Sequence, residues 1–273
     1  MIIPLVQIDA FAESLFEGNP AAVMPLERWL PDELLQRLAL ENNLSETAFL
    51  VDRDPEDAPD PSVPAYDLRW FTPATEVDLC GHATLAASSY LFEDVHPGAG
   101  LLQFSSRSGW LAVSRSAEGL LTMDFPAETP EPVEVDPAIA RALGVEVVDA
   151  HRATDLICTV ADARTVRDLA PDLTFLASLP VRGIAVTAPG EGTGFDFVSR
   201  WFGARAGVPE DPVTGSAHCQ LAPLWAERLG MREMTARQMS PRGGTVAIRL
   251  QDDRVHLSGR CVRYLEGSVT LPR

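Results

Sequence analysis

Apolar positions along this chain follow two periods, one typical of strands and the other of helices. Alternating or short apolar runs predict strands in IIPLVQIDAF, TAFLV and AYDLRWF. The segment LPDELLQRLALENN instead has leucines at helical spacing, acids in its first turn and Pro31 at its start, so it predicts an amphipathic helix over residues 31 to 42. The first part of the chain is therefore predicted to combine several strands with one amphipathic helix.

A second helix is predicted where the pattern is apolar on every side. From His82 to Phe92 the chain carries no charge, and small or apolar residues occur at all helical positions. A helix that is apolar all round must be enclosed by protein. The apolar segments Gln103 to Val113 and Leu120 to Phe125 follow it and predict strands of a meander.

The same order of features occurs twice along the chain. Arg69-Trp70-Phe71 ends a predicted strand and leads through an acidic loop to Gly81, and Arg200-Trp201-Phe202 leads in the same way to Gly215. Each glycine opens an apolar helix, and the offset between the copies is 131 to 134 residues by subtraction of their positions. Such a repeat predicts two copies of one domain.

The boundary between the copies is predicted from composition. The segment 126 to 137 carries four prolines and four acids and is the best linker candidate. We therefore place an N-terminal domain at 1–126 and a C-terminal domain at 127–273. Each is expected to be an α+β domain in which antiparallel strands wrap a central helix.

The excess of acidic over basic residues limits the classes of molecule that the chain is expected to bind. The chain has 39 acidic and 22 basic residues, a formal net charge of -17, and every basic residue is arginine. We do not expect so acidic a chain to bind nucleic acid or an anionic membrane, and its longest apolar runs are too short to span a bilayer. The absence of lysine excludes a lysine nucleophile, an internal pyridoxal phosphate Schiff base and a Walker A lysine.

The cysteines and histidines do not suggest a metal site. Four cysteines and five histidines are scattered along the chain without metal-ligand spacing. The N-terminal segment MIIPLVQIDAF lacks the basic region and the cleavage site of a signal peptide. We therefore expect free thiols, no metal and a cytoplasmic protein.

The two helix starts are candidate anion sites, because the first turn of a helix presents unpaired N–H groups and a partial positive charge. Gly81 and Gly215 let a ligand approach the backbone, and His82 and Ser216 would add side-chain hydrogen bonds. If the domains face each other about a pseudo-twofold axis, both starts hold one small carboxylate in a cleft. Taken singly, His82 is explained as a first-turn residue and Ser216 as an N-cap, but their repetition at equivalent places favours binding.

Glu46 is the candidate acid/base. It lies in ENNLSETAFL between a helix and a strand, among apolar neighbours. A carboxyl group in such surroundings can take and return a proton near neutrality, although a surface acid beside a helix end explains Glu46 equally well. Asp211 in EDPVTGSAHC is a similar candidate, but Asp-Pro is also a common turn opener. Asp78 is its suggested counterpart in the first half.

Two further residues could take part in catalysis or substrate binding, and the position of each also has a simpler structural explanation. Cys80 precedes Gly81, and two opposed thiols can racemise a substrate, but the residue before Gly215 is Thr214. We therefore expect Cys80 to pack as a small buried group. Arg242 in SPRGGTVAI could clamp a carboxylate with two hydrogen bonds, whereas Arg-Gly-Gly is also typical of a hairpin turn.

Four motifs in order, GNPAAV, NLSETAF, RWFTPATEVDLCGHATLAA and EDPVTGSAHC, give the chain a family resemblance. It resembles the PhzF-like family of phenazine-biosynthesis isomerases over essentially its whole length. The resemblance implies a diaminopimelate-epimerase-like α+β fold, with two pseudo-symmetric domains that each have a curved antiparallel sheet around a central helix. This expectation agrees with the internal repeat.

The resemblance also implies a cofactor-independent isomerase in which Glu46 moves a proton between carbon atoms. The resemblance further assigns His82 and Asp211 to catalysis. It assigns Gly81, Gly215 and Ser216 to substrate binding. Family members are commonly homodimers, and we expect a small-molecule carboxylate as the substrate.

One segment departs from the family pattern. Phe202-Gly203-Ala204-Arg205 stands before the second motif, where a turn that contains proline is more usual. We expect this difference to alter substrate reach and not to abolish catalysis.

Two other functions stay open at this point. One is a cofactor-free racemase or epimerase of an amino acid with Cys80 as one acid/base. The other is a metabolite-binding or protein-interaction module that keeps the fold without turnover. The joint presence of Glu46, His82, Asp211 and Ser216 argues against such a module, because a decayed site should have lost some of them.

Overall fold

The chain divides into two compact units in the computed structural model, which describes residues 1–271. Unit 1 contains Met1–Asp124 and the C-terminal segment from Ser258 onward, and unit 2 contains Phe125–Leu257. Among the described residues no helix is long and apolar enough to cross a membrane.

The C-terminal segment departs from the predicted domain 127–273. Its strand Cys261–Thr270 pairs antiparallel with the first strand of the chain, Ile2–Ala10, from Ile2 opposite Thr270 to Ala10 opposite Cys261. A pairing of this length satisfies the backbone hydrogen-bonding groups that the two strands direct at each other. The last strand therefore belongs to unit 1, although it follows unit 2 in the sequence.

Unit 1 is a mixed sheet with an enclosed helix. Its elements before the boundary are β1 (Ile2–Ala10), β2 (Asn19–Leu26), α1 (Asp32–Asn42), β3 (Glu46–Arg53), β4 (Ala65–Phe71), β5 (Glu76–Val77), α2 (Gly81–Tyr90), β6 (Leu101–Ser106), β7 (Gly109–Arg115) and β8 (Leu121–Pro126). The pairs β1–β2, β3–β4, β6–β7 and β7–β8 are antiparallel, and β2–β3 and β4–β6 are parallel. Helix α2 packs on β1, β2 and β3.

Helix α1 lies where the sequence predicts it. Pro31 precedes its first residue, and Leu35 and Leu38 are buried as their helical spacing requires. The helix ends at Asn43, which adopts a left-handed conformation with φ of 49° and returns its N–H to Ala39.

Helix α2 is enclosed, as its uncharged sequence predicts. Every residue from His82 to Ser89 is buried. The hydroxyl of Thr84 donates to the carbonyl of Cys80 over 2.6 Å, and that of Ser88 donates to the carbonyl of Thr84 over 2.8 Å. These bonds to the preceding turn satisfy the polar atoms. Small hydroxyl residues can therefore occupy a helix with no solvent face.

Unit 2 repeats this order of elements. The remaining elements of the chain are β9 (Glu131–Val133), α3 (Pro137–Leu143), β10 (Asp149–Arg152), β11 (Leu156–Thr159), α4 (Ala163–Arg167), α5 (Leu173–Ser178), β12 (Ile184–Pro189), β13 (Phe197–Gly203), β14 (Val208–Asp211), α6 (Gly215–Leu229), β15 (Glu233–Gln238), β16 (Gly244–Gln251), β17 (Arg254–Gly259) and β18 (Cys261–Thr270), the strand that returns to unit 1. Here β11–β12 and β13–β15 are parallel, and β12–β13 and β15–β16 are antiparallel. The predicted linker 126 to 137 includes β9, which pairs with β10.

Side chains at matching places confirm the internal repeat. In unit 1, Arg69 forks onto the carboxylate of Glu76 with N···O distances of 2.7 and 2.8 Å. In unit 2, Arg200 forks onto Glu210 with the same two distances. In both units the arginine of Arg-Trp-Phe thus fixes the short strand that leads to the glycine-led helix.

One predicted strand is in fact a hairpin. Gln103 to Val113 spans β6, a turn at Arg107 and Ser108, and β7. Gly109 closes the turn with φ of 93°, a conformation that residues with a Cβ rarely adopt. The predicted meander is therefore confirmed as β6, β7 and β8, with one more strand than expected.

Candidate active site

The first turn of α2 lies beside the starts of two strands in unit 1. Cys80 is the N-cap residue and has an extended backbone, so that Gly81 begins the helix and His82 follows. Strand β3 begins at Glu46 and runs parallel to β2, which begins at Asn19. The order of elements therefore brings residues that are far apart in the sequence to one place.

Glu46 and His82 are in direct contact. Glu46 Oε2 lies 3.0 Å from His82 Nε2, and the side chains are 18% and 6% exposed. On the other side of the ring, Nδ1 lies 3.2 Å from Asn19 Nδ2 and 3.5 Å from Cys80 Sγ. The imidazole is thus held between a carboxylate at one nitrogen and an amide and a thiol at the other.

The partners of His82 fix a proton on Nε2. Burial alone would lower the pKa of His82, but the neighbouring Cys80 and Glu46 raise this pKa well above its ordinary value. In the neutral ring, the Asn19 amide donates to Nδ1 and leaves the proton on Nε2. In the charged ring both nitrogens carry protons. In either state the proton on Nε2 belongs to the nitrogen that lies 3.0 Å from Glu46 Oε2.

Cys80 is a buried thiol beside this pair. Burial raises the pKa of Cys80, and the Glu46 carboxylate raises it further. The raised pKa favours the thiol over the thiolate, and a nucleophile or base would have to be a thiolate. This agrees with the expectation that Cys80 packs as a small buried group.

Glu46, Cys80 and His82 also have the donor types of a metal site. One oxygen, one sulfur and one nitrogen of these side chains lie within 4.8 Å of one another, and zinc accepts all three types. However, Glu46 contacts Nε2 and Cys80 contacts Nδ1, so the two face opposite nitrogens of one ring. That arrangement suits a proton relay through the imidazole better than three ligands on one ion.

The first turn of α6 in unit 2 is built from different side chains. Thr214 is the N-cap residue, but its hydroxyl donates to Asp211 Oδ2 over 2.6 Å and does not cap the helix. Gln238 braces the same turn, because its amide donates to the Asp211 carbonyl and accepts from the Thr214 N–H. Asp211 thus contacts this helix start through its carboxylate and its carbonyl, and its role in catalysis stays a prediction.

Ser216 is exposed and is the second residue of α6. The alternative that it is an N-cap is therefore wrong, because Thr214 occupies that position. Its hydroxyl oxygen instead accepts a hydrogen bond of 3.0 Å from Arg182 Nη1. Since a hydroxyl has one donor and two acceptor sites, its O–H group stays available as a donor.

Arg182 is held by a buried carboxylate. Its Nε and Nη2 fork onto Asp155 with distances of 2.9 and 2.5 Å, and the Asp155 side chain is fully buried. Asp155 also accepts from Trp201 Nε1 over 3.0 Å and from Gln220 Nε2 over 3.1 Å. These bonds compensate the buried charge. The Ser216 hydroxyl therefore has a rigid support.

Asp78 is not the counterpart of Asp211. In unit 1, Trp70 pairs with Val77, and in unit 2 Trp201 pairs with Asp211. The suggested match was wrong by one residue because the spacing from acid to glycine differs between the copies. The Asp78 side chain is 75% exposed, and its nearest ion-pair contact, at 3.8 Å, is with an arginine of the β6–β7 turn.

The structure brings Glu46 and His82 together and places Asp211 at the same helix start as Gly215 and Ser216. That both helix starts act on one ligand stays a prediction. Asn19, Asp155 and Arg182 were not predicted from the sequence. A signal was present for Asp155, because it is an acid directly before the apolar run LICT.

Comparison with known proteins gives a consistent result. Residues 8–267 match the PhzC-PhzF family, described as phenazine biosynthesis-like protein. An uncharacterized isomerase of Pseudomonas aeruginosa is 48% identical over 271 residues, which are 99% of this chain and 100% of that protein. A crystal structure of a PhzF-family protein from Enterococcus faecalis superposes with a TM-score of 0.93 at 42% identity, covering 99% of this chain and 100% of that one.

The fold extends to more distant proteins. A hydroxyproline epimerase from Agrobacterium vitis superposes with a TM-score of 0.62 at 12% identity, covering 98% of this chain and 92% of that one. At this identity the likeness shows the fold alone. The α+β, diaminopimelate-epimerase-like fold expected from the sequence is confirmed.

Proposed function

The chain belongs to the PhzC-PhzF family of phenazine biosynthesis-like proteins and is an isomerase, and from this premise we propose that Glu46 moves a proton between carbon atoms of a small carboxylate-bearing metabolite. The reaction needs no cofactor in this proposal. A cytoplasmic location and a homodimer stay predictions. A non-catalytic role is set aside because the chain is an isomerase.

The contact between Glu46 and His82 carries the proposal. The Glu46 side chain is 18% exposed, which leaves it open to a substrate, while the buried His82 Nε2 lies 3.0 Å from Glu46 Oε2. A general base must lie within hydrogen-bond reach of the proton that it takes, and a positioned one contributes about a hundred- to ten-thousand-fold to the rate. His82 can orient Glu46 and return a proton to it through Nε2.

The proposed reaction has two proton steps. The Glu46 carboxylate takes a proton from a carbon alpha or vinylogous to the substrate carboxylate, and the electron pair of the C–H bond forms an enolate. The protonated Glu46 then gives the proton to another carbon, where the new C–H bond forms. The backbone N–H groups at Gly81 and Gly215 and the hydroxyl of Ser216 are assigned to the anionic substrate.

Asp211 has two candidate roles. The family resemblance assigns it to catalysis, whereas its contacts with Thr214 and Gln238 support a bracing role. Both roles predict that its loss lowers turnover. They differ in that a brace also fixes the position of the α6 first turn and hence the affinity for the substrate.

The test is proton exchange with solvent. Small cyclic and acyclic carboxylates are first screened for an increase in Tm, since a ligand of the folded state stabilises it. Each hit is then incubated with the enzyme in D₂O, and deuterium incorporation is followed by NMR. Glu46→Gln should abolish incorporation and keep binding, whereas the exposed acid variant Glu41→Gln should behave as wild type. Retained incorporation in Glu46→Gln would reject the assignment.

Racemisation through Cys80 is the second candidate. It is favoured by the position of the sulfur, 3.5 Å from His82 Nδ1. It is disfavoured by the raised pKa of the thiol and by Thr214, whose hydroxyl is engaged with Asp211. Cys80→Ala with unchanged activity would eliminate this candidate.

A further inference from the structure

An open cavity of about 440 Å³ in unit 2 has two arginines in its wall. It is lined by Pro180, Val181, Arg182, Arg205 and Ala206. Two guanidinium groups on one small cavity are unexpected in a chain with a net charge of -17. The volume is that of a small-molecule site.

Arg182 is the rigid side of this cavity. Its fork onto Asp155 and its bond to Ser216 use three of its five N–H groups. Its guanidinium also lies over the Trp201 ring, 5.5 Å from the centroid. The cavity is therefore joined directly to the hydroxyl that we assign to the substrate carboxylate.

Trp201 packs against Arg182. Gly183 and Gly203 lie against its indole, and a Cβ at either position would collide with the ring. The indole N–H donates to Asp155. The glycine of Phe202-Gly203-Ala204-Arg205 is thus required for packing, and it leads directly into the turn that carries Arg205.

Arg205 is the uncompensated charge of the cavity. It lies on the 3₁₀ turn Ala204–Ala206, is exposed, and donates from Nη1 to the Leu179 carbonyl over 3.1 Å. Within residues 1–271 it has no carboxylate partner within 4.0 Å, whereas the charge of Arg182 is offset by Asp155. In a chain with 39 acids, a cation left without an acid beside a cavity points to an anionic ligand.

We propose that this cavity binds a second anionic group of the substrate, a carboxylate or a phosphate, through Arg205 with Arg182 as its rigid wall. The substrate is then a small dianionic metabolite, with one carboxylate at Ser216 and the second group in the cavity. This inference rests on the proposed function in that a carboxylate substrate is held at Ser216. It also explains the departure of the Gly-Ala-Arg segment from the family pattern as a specificity feature.

The test compares matched anions by calorimetry at constant ionic strength. Succinate and glutarate, each with two carboxylates, are compared with butyrate and valerate, and inorganic phosphate is titrated separately. The dicarboxylates should bind wild type at least about tenfold more tightly than the monocarboxylates, as one added ion pair allows. If the dicarboxylates bind more tightly than phosphate, the second anionic group of the substrate is a carboxylate. If phosphate binds more tightly, that group is a phosphate.

Three variants assign the binding to the cavity. Arg205→Gln should weaken the best probe about tenfold, Arg205→Lys should restore most of the affinity, and the exposed control Arg249→Gln should have no effect. Equal binding of mono- and dianions, or an unchanged affinity in Arg205→Gln, would overturn the proposal. This test of the cavity is independent of the proton-transfer proposal, because the Glu46→Gln variant should bind these probes as wild type does.

Discussion

The first turns of α2 and α6 occupy equivalent places in two copies of one fold, yet they carry different chemistry. In unit 1 the residue after the glycine is His82, which is buried against Glu46. In unit 2 it is Ser216, which is exposed and supported by Arg182. We propose that the first helix start moves a proton and that the second binds the substrate through hydrogen bonds.

The residues that stay the same in both copies support the backbone. Ser108 in the β6–β7 turn donates to the carbonyl of Asp78, three residues before Gly81, over 2.8 Å. Ser240 in the β15–β16 turn donates to the carbonyl of Pro212, three residues before Gly215, over 2.9 Å. The shared contacts therefore hold each loop in place, and the positions that differ are those with candidate function.

Two buried histidines show how far the local chemistry has diverged. The pKa of His82 is raised well above its ordinary value by its acidic neighbours, against the effect of burial. The pKa of His218 is lowered to about 4 by burial, and its Nε2 has no hydrogen-bond partner among the described residues. The surroundings of His82 on α2 thus favour its protonated form, and those of His218 on α6 favour its neutral form.

The largest stability effect is expected at the support of Ser216. Asp155→Asn removes the buried charged acceptor of Arg182, Trp201 and Gln220 and should destabilise the protein by about 3 kcal/mol, because three donors lose a charge-assisted hydrogen bond. Urea denaturation measures the change, with the exposed variant Asp253→Asn as the control. A loss as small as that of the control would show that Asp155 does not hold this side of the site.

A smaller effect is expected from pH at His218. Its folded-state pKa of about 4 lies below the unfolded value near 6.5, so the unfolded chain binds a proton that the folded chain excludes. Stability should therefore fall as the pH falls from 6.5 towards 4, by about 2 kcal/mol between pH 7 and pH 5 from this residue. His218→Gln should remove this part of the slope. Parallel profiles for the variant and wild type would contradict the assignment.

The smallest effect is expected at the repeated turn contacts. Ser108→Ala should cost about 1 kcal/mol, the usual contribution of one hydrogen bond. Ser240→Ala should cost somewhat more when both losses are measured by urea denaturation, because its hydroxyl also accepts a hydrogen bond from the Gly243 N–H. A large loss for one and none for the other would break the structural equivalence of the copies.

How much of this was predictable from sequence depends on the range of the interaction. The bounds of α1 and the enclosure of α2 follow from local spacing, and the repeat follows from Arg-Trp-Phe and glycine recurring in order. The partner of the last strand could not be predicted, because alternation gives the faces of a strand and not its neighbour.

Prediction of the site residues from the sequence likewise depends on the range of their interactions. Glu46, His82 and Ser216 stand out because each lies beside a motif, and the structure joins the first two. Asn19, Asp155 and Arg182 act through contacts across 63, 65 and 34 residues of sequence, to His82, Gln220 and Ser216 respectively. A buried polar network is defined by three-dimensional packing, so no local pattern predicts its members.

The central proposal is that the start of α2 transfers the proton and the start of α6 binds the substrate. It is tested most directly by comparing His82→Gln with Ser216→Ala in deuterium exchange. Each variant is incubated in D₂O with the carboxylate that the exchange screen identifies, over a range of concentrations. His82→Gln should lower the exchange rate at saturation by about a hundredfold or more, whereas Ser216→Ala should raise the half-saturating concentration and leave the saturated rate nearly unchanged. Loss of the saturated rate in Ser216→Ala together with its retention in His82→Gln would contradict the account.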